Sequence, residues 1–263
     1  GISMNKKAMS QLIAWVLLVG FAIAMGAFIT SWSLGYFKNI NLAGLAVHIG
    51  SQILSVDSFL KAYKKLFNLI DTIEKYNIKI KVIDLGGGFG ISYKNSEKDF
   101  DFNKYREKII PLLKNRNVTY TIEPGRFISG NSAILITKVL YTKKTTHKDY
   151  VIVDAGFNDL QRPVVYGAYH EIRSCEIKKS GKIKADIVGP ICETGDIFAE
   201  DRIINSCVSG DNLMISSAGA YGASMSSMYN SRPLLPEVLV DGNSFKLIRK
   251  RFSYHDIILN EII

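Results

Sequence analysis

Between Leu42 and Tyr141, apolar runs that end in glycine or in Glu-Pro-Gly alternate with helical periods, and this alternation limits the fold of the 263-residue chain more than any other feature. Leu45-Ala46-Val47-His48-Ile49 stops at Gly50-Ser51, the pattern of a buried parallel strand that leads into a functional loop. Phe59, Tyr63, Leu66, Ile70 and Ile73 then recur three to four residues apart, which predicts a helix from Ser55, its cap, to a stop near Asn77. Lys81 to Leu85 reads as a second strand, Asn103 to Lys114 as a second helix and Val118 to Glu123 as a third strand, and a short helix after Gly125 leads into Ile134 to Tyr141. Strand, helix, strand at this pace predicts a β/α barrel. A complete eight-unit barrel takes about 250 residues. Residues 41–140 suffice for three or four βα units, so the expectation is a partial (β/α)8 barrel whose exposed edges leave the isolated chain poorly stable or in need of a partner.

Beyond Tyr150 the texture changes. Short β runs at Tyr150 to Asp154, Glu171 to Ile177, Ala185 to Val188, Leu213 to Ser216, Glu237 to Val240 and Phe245 to Arg249 predict a β-rich C-terminal domain over residues 141–263. The fold class is thus α/β plus all-β. The composition, 47% hydrophobic and 22% charged, is that of a globular chain. Its formal charge of +9 is spread along the sequence without a basic stripe interleaved with aromatics, which argues against a nucleic-acid partner. Cys175, Cys192 and Cys207 form no C-x-x-C pair, which argues for reduced thiols and against a zinc or other metal site.

Residues 1–40 follow neither pattern. Thirty residues between Lys7 and Lys38 carry no formal charge, and as a helix they would span a hydrocarbon core about 30 Å thick. Lys6 and Lys7 predict a cytoplasmic N-terminal end, with Trp32, Tyr36 and Phe37 at the far interface of a transmembrane helix. The Lys-Lys-Ala-Met-Ser-Gln-Leu-Ile run before the aliphatic stretch resembles the N-terminus of archaeal pilin-like proteins. A buried core helix and a junction of two unrelated reading frames are the other readings.

Gly86, Gly87 and Gly88 directly follow a predicted strand, where a side-chain-free backbone can approach a phosphate and offer it N–H groups. Glu123-Pro124-Gly125-Arg126 also closes a strand and opens a helix, at the strand ends where such barrels keep their active sites. Taken with His48-Ile49-Gly50-Ser51-Gln52 and Cys192-Glu193-Thr194-Gly195-Asp196, these motifs resemble, in order and spacing, the diaminopimelate decarboxylases, fold-type III pyridoxal-phosphate enzymes of lysine biosynthesis. The resemblance runs from about Asn41 to the C-terminus and covers the C-terminal βα units of the barrel and the domain after them.

The resemblance implies a cofactor site and a substrate site. His48 would lie against the pyridine ring of pyridoxal 5'-phosphate, and Ser51, Gly86, Gly87, Gly88, Gly125 and Arg126 would hold its phosphate. Glu123 would keep the ring nitrogen protonated, and Tyr221 would reach the phosphate or the substrate. Arg162 and Tyr166, within Asn158 to His170, would grip a carboxylate of meso-diaminopimelate, with Arg126 as a second grip, because a planar guanidinium binds a carboxylate in two-pronged fashion. Cys192 would protonate the α-carbon and Glu193 would read the distal centre of the substrate, both across the interface of a homodimer. The family's covalent lysine sits in a Lys-Ala-Asn-type motif, and none occurs between Gly1 and Asn41. The implied activity is conversion of meso-2,6-diaminopimelate to L-lysine and CO₂, in the cytoplasm by family and at a membrane if the N-terminal helix is genuine. Two alternatives stand beside it: an inactive membrane-anchored fragment acting as a binding or assembly protein, and a decarboxylase of the same fold type for another basic amino acid.

Overall fold

The computed structural model describes residues 43–113, 116–176, 181–259 and 261. The proposed transmembrane, pilin-like helix over residues 1–40 lies outside them; among the described residues no helix is long and apolar enough to cross a membrane.

The first unit is a parallel sheet in the order β1 (Gly44–Ala46), β2 (Val82–Gly87), β3 (Thr119–Glu123), joined through helices α1 (Val56–Glu74) and α2 (Phe102–Leu113). Register is set by Leu45 opposite Ile83 and Ile83 opposite Tyr120. The helical period read from the sequence is the face that α1 buries: Phe59, Tyr63 and Ile70 are fully enclosed, against Ile83, Leu85 and Phe89. Phe59 stacks on Phe89 with centroids 4.9 Å apart, and the Tyr63 hydroxyl donates to the Leu85 carbonyl at 3.0 Å, so the one polar atom of this face is satisfied. Ser55 does occupy the N-cap position of α1, but its side chain makes no capping bond; the expected cap is positional only. Among the described residues β1 and β3 are edges, and β3 is largely exposed, with Ile122 at 51%.

After α3 (Gly125–Ser129), a six-stranded sheet begins with β4 (Leu135–Lys144) and continues with β5 (Asp149–Val153), β6 (Ile172–Ser174), β7 (Lys182–Val188), β8 (Ile197–Asn205) and β9 (Asn212–Ile215). Its order is β6-β9-β4-β5-β7-β8, and all pairs are antiparallel except β5 with β7. Helix α4 (Arg162–Tyr166) lies between β5 and β6. Val139, Val151, Val153, Leu160, Ile187, Leu213 and Ile215 form the core of this sheet at 0–1% exposure. β4 belongs wholly to this sheet yet crosses the expected boundary at residues 140 and 141. β8 was not foreseen in the sequence; Glu200, Asp201 and Arg202 interrupt its apolar alternation, and Asp201 takes a left-handed φ of 48°. The hairpin of β10 (Glu237–Asp241) and β11 (Ser244–Arg249) and the short helix α5 (Tyr254–Ile258) complete the described fold.

Candidate active site

Both units contribute to one open cleft of about 650 Å³. The barrel-like unit supplies Ser51, Gln52, Tyr93, Lys94, Glu97 and Arg126, and the sheet unit supplies Arg162, Tyr166, Ala168, Tyr169 and Tyr221. Ser51 is held there because its loop zips onto the segment after β2: Ile53 N–H donates to the Gly88 carbonyl at 2.9 Å and Gly90 N–H to the Ile53 carbonyl at 3.0 Å. The Gln52 amide closes the same loop by donating to the Ile91 carbonyl at 2.6 Å.

The glycine run has a backbone reason of its own. A Cβ on Gly86, Gly87 or Gly88 would run into the carbonyl oxygen of Val47, Glu123 or Gly50 respectively, so the three glycines let the ends of β1, β2 and β3 close on one another. Gly86 and Gly88 also take left-handed φ values of 70° and 91°, which cost a side-chain-bearing residue. This crowding brings His48 and Glu123 beside the glycines, but both are exposed and neither lines the cleft.

Arg126 and Arg162 meet over one aromatic ring. Arg126, on α3, donates from Nη1 to the Tyr93 hydroxyl at 2.7 Å and lies 5.2 Å from the Tyr221 ring centroid. Arg162, at the start of α4, sits 4.7 Å from the Tyr93 centroid. It is 5% exposed, and burial, with Arg126 adding to it, pulls its guanidinium below its ordinary value. Among the described residues no carboxylate pairs with either guanidinium, and the Nε of each is buried without a hydrogen-bond partner. A buried cation such as Arg162 without counter-charge is expensive unless an anion is meant to arrive. The Gly125 position faces the Tyr221 hydroxyl, 3.9 Å from where a Cβ would stand, and Tyr221 itself has a left-handed φ of 61°.

Cys192 and Glu193 do not line the cleft. Both are exposed, on a loop tied down by the buried Asp196 carboxylate, which accepts from Phe157 N–H at 2.6 Å and Ile191 N–H at 2.7 Å. Glu193 accepts from the Tyr229 hydroxyl at 3.1 Å. Sequence reasoning brought Ser51, Arg126, Arg162, Tyr166 and Tyr221 to the cleft and missed Tyr93, Tyr169, Lys94 and Glu97. Tyr93 follows Gly90 on the loop after β2 and had no local pattern to mark it; only the third dimension shows that it joins the two arginines.

The sequence of residues 23–219 matches a family model described as the C-terminal sheet domain of pyridoxal-dependent decarboxylases. The chain belongs to that family. The diaminopimelate decarboxylase of Aquifex aeolicus is 46% identical over 221 residues, 84% of this chain and 53% of that protein. The crystal structure of diaminopimelate decarboxylase from Helicobacter pylori complexed with L-lysine is 39% identical, with a TM-score of 0.76 over 82% of this chain and 54% of that one. The enzyme from M. jannaschii in co-complex with L-lysine is 34% identical with a TM-score of 0.80, covering 93% of this chain and 57% of that one. This family member thus spans about half the length of the curated relatives it matches.

Proposed function

We propose that the chain is the substrate-binding part of a diaminopimelate decarboxylase, a carboxy-lyase that converts meso-2,6-diaminopimelate to L-lysine and CO₂ with pyridoxal phosphate. The observation that carries the reading is the pair of guanidiniums, Arg126 and Arg162, that share Tyr93 in the cleft without a carboxylate partner among the described residues. Such a cleft fits anionic groups: a ligand phosphate beside Ser51 and the backbone of Gly125 and Arg126, and a ligand carboxylate at Arg162 and Tyr166. Bound there, the cofactor would supply the electron sink for the charge left when CO₂ departs.

The chain's own residues take defined roles in this reading. Glu123 would hold a proton on the ring nitrogen and His48 would flank the ring, both from the glycine-closed strand ends beside the cleft. Arg162 and Tyr166 orient the substrate by its carboxylate, and Tyr221 packs against Arg126 at the edge of the cleft. Cys192 gives a proton to the α-carbon and Glu193 selects the distal amino-acid centre; their exposure, away from their own cleft, supports a homodimer in which each serves the partner subunit.

Because the sequence lacks a Lys-Ala-Asn-type motif before Asn41, the chain by itself is expected to release no CO₂ from meso-diaminopimelate, and borohydride is expected to fix the cofactor to no single lysine. The decisive experiment fuses the N-terminal part of the Aquifex aeolicus relative to Asn41. A dimer that decarboxylates meso-diaminopimelate, and that loses turnover but keeps cofactor binding in Cys192→Ala, supports the reading. A folded fusion that acts only on ornithine or arginine, or on none of these amino acids, overturns it.

A further inference from the structure

His170 has no exposed surface and is fixed on three sides. Its Nδ1 lies 2.8 Å from the Ser216 carbonyl oxygen, which can only accept, so Nδ1 carries the ring proton. In a neutral ring Nε2 is then a lone pair, and it lies 2.8 Å from Arg162 Nη1, which can only donate. Tyr93 closes the third side edge to face, with centroids 5.3 Å apart. Arg202 Nη1 donates to the His170 carbonyl at 2.7 Å, and the charged groups that act on the imidazole, Arg162, Arg126 and Arg202, are all positive.

We propose that His170 is a positioning residue that aims Arg162 into the cleft while leaving its positive charge uncancelled. The inference rests on the reading of Arg162 as the grip on a ligand carboxylate, and it explains why the anchor is a histidine. An Asp or Glu at position 170 would accept the same hydrogen bond but bring its own negative charge, so an incoming carboxylate would compete with a built-in one. An apolar residue would leave a long, flexible side chain to find its orientation only on binding, at an entropic cost. A neutral acceptor fixes the direction and keeps the field. Burial first, and then the surrounding arginines, keep the ring neutral, since an imidazolium enclosed among three guanidiniums would both lose its lone pair and repel the group it holds.

The test uses the full chain in the presence of pyridoxal phosphate, with L-lysine as the titrated probe followed by calorimetry. A Gln amide oxygen stands near the place of Nε2, so His170→Gln is expected to hold L-lysine within about threefold of wild type. His170→Glu is expected to weaken it about tenfold or more, with both thermal midpoints recorded to separate folding from binding. Equal affinities in His170→Gln and His170→Glu would overturn the proposal, because charge at the anchor would then be irrelevant. A second readout, ¹⁵N NMR of the wild-type imidazole, is expected to show the Nδ1–H tautomer and an Nε2 resonance that moves in Arg162→Ala. If wild type binds no L-lysine, the functional reading fails and the NMR result alone decides the anchor: the Nδ1–H tautomer coupled to Arg162 upholds it, and the Nε2–H tautomer or an unmoved Nε2 resonance refutes it.

Discussion

Arg162 Nη1 stands 2.8 Å from Nε2 of His170, eight residues further along the chain, and this bond joins the start of α4 to the wall of the sheet unit. Burial first, and then the nearby arginines against the opposing Ser216 bond, holds His170 down at about 4 from an ordinary 6.5. The sign follows from proton counting. Between pH 6.5 and 4 the unfolded chain takes up a proton that the folded chain refuses, so stability present above pH 6.5 is lost as the pH falls through that window, by up to about 3 kcal/mol. Urea unfolding at pH 7 and pH 4.5 is expected to show a larger drop for wild type than for His170→Gln, which has no imidazole to titrate. Parallel drops in the two proteins would remove His170 from the account.

Gly87 and Gly125 separate the two demands made on glycine here. A Cβ on Gly87 meets the Glu123 carbonyl, whereas one on Gly125 meets nothing closer than the Tyr221 hydroxyl at 3.9 Å. Gly87→Ala is therefore expected to destabilise the chain by about 1–3 kcal/mol through forced separation of β2 and β3, and Gly125→Ala to leave the unfolding midpoint nearly unchanged. Similar costs at both sites, measured by denaturant unfolding, would mean that strand closure is not what requires glycine after β2.

Asp196 anchors the loop that carries Cys192 and Glu193. Burial raises its carboxyl, while the N–H groups of Ile191 and Phe157 pull the other way. Asp196→Asn turns one accepting oxygen into a donor that faces a donor, and is expected to cost about 1–3 kcal/mol. Faster labelling of the Cys192 thiol in the variant would report the loosened loop; an unchanged rate with unchanged stability would contradict the anchoring role.

The charge-free run from Ala8 to Phe37 carries its own expectation. The full chain should sediment with membranes and a chain beginning at Asn39 should not. Recovery of the full chain as a monodisperse soluble species would rule out a membrane anchor.

The parts of the fold legible in the sequence were those governed by local periodicity. Phe59, Tyr63 and Ile70 marked the buried face of α1 because a 3.6-residue repeat needs no knowledge of its partner. β8 was hidden because its middle turns outward at Glu200 and Asp201 and its pairing with β7 shifts between Ala185 and Ile187, which resets the two-residue alternation. The same division holds in the cleft. Arg126, Arg162 and Tyr221 lie in motifs, whereas Tyr93 and Tyr169 have meaning only through the guanidiniums above their rings, Arg126 and Arg162 over the first and Arg202 over the second. His170 closes the segment from Asn158 that carries Arg162 and Tyr166, but its role depends on a Ser216 carbonyl far along the chain.

The pairing of β4 has a kinetic consequence. On one side it joins β5, with Val139 opposite Val153; on the other it joins β9, with Leu135 opposite Ile215. The first pairing is local and can form early, but the second must wait for a strand whose partner lies far behind it in the sequence, and such closures slow folding. Ser216, which orients His170, directly follows β9. The carbonyl that fixes the His170 ring therefore arrives with a long-range closure, and binding competence is expected in refolding no earlier than the pairing of β4 with β9.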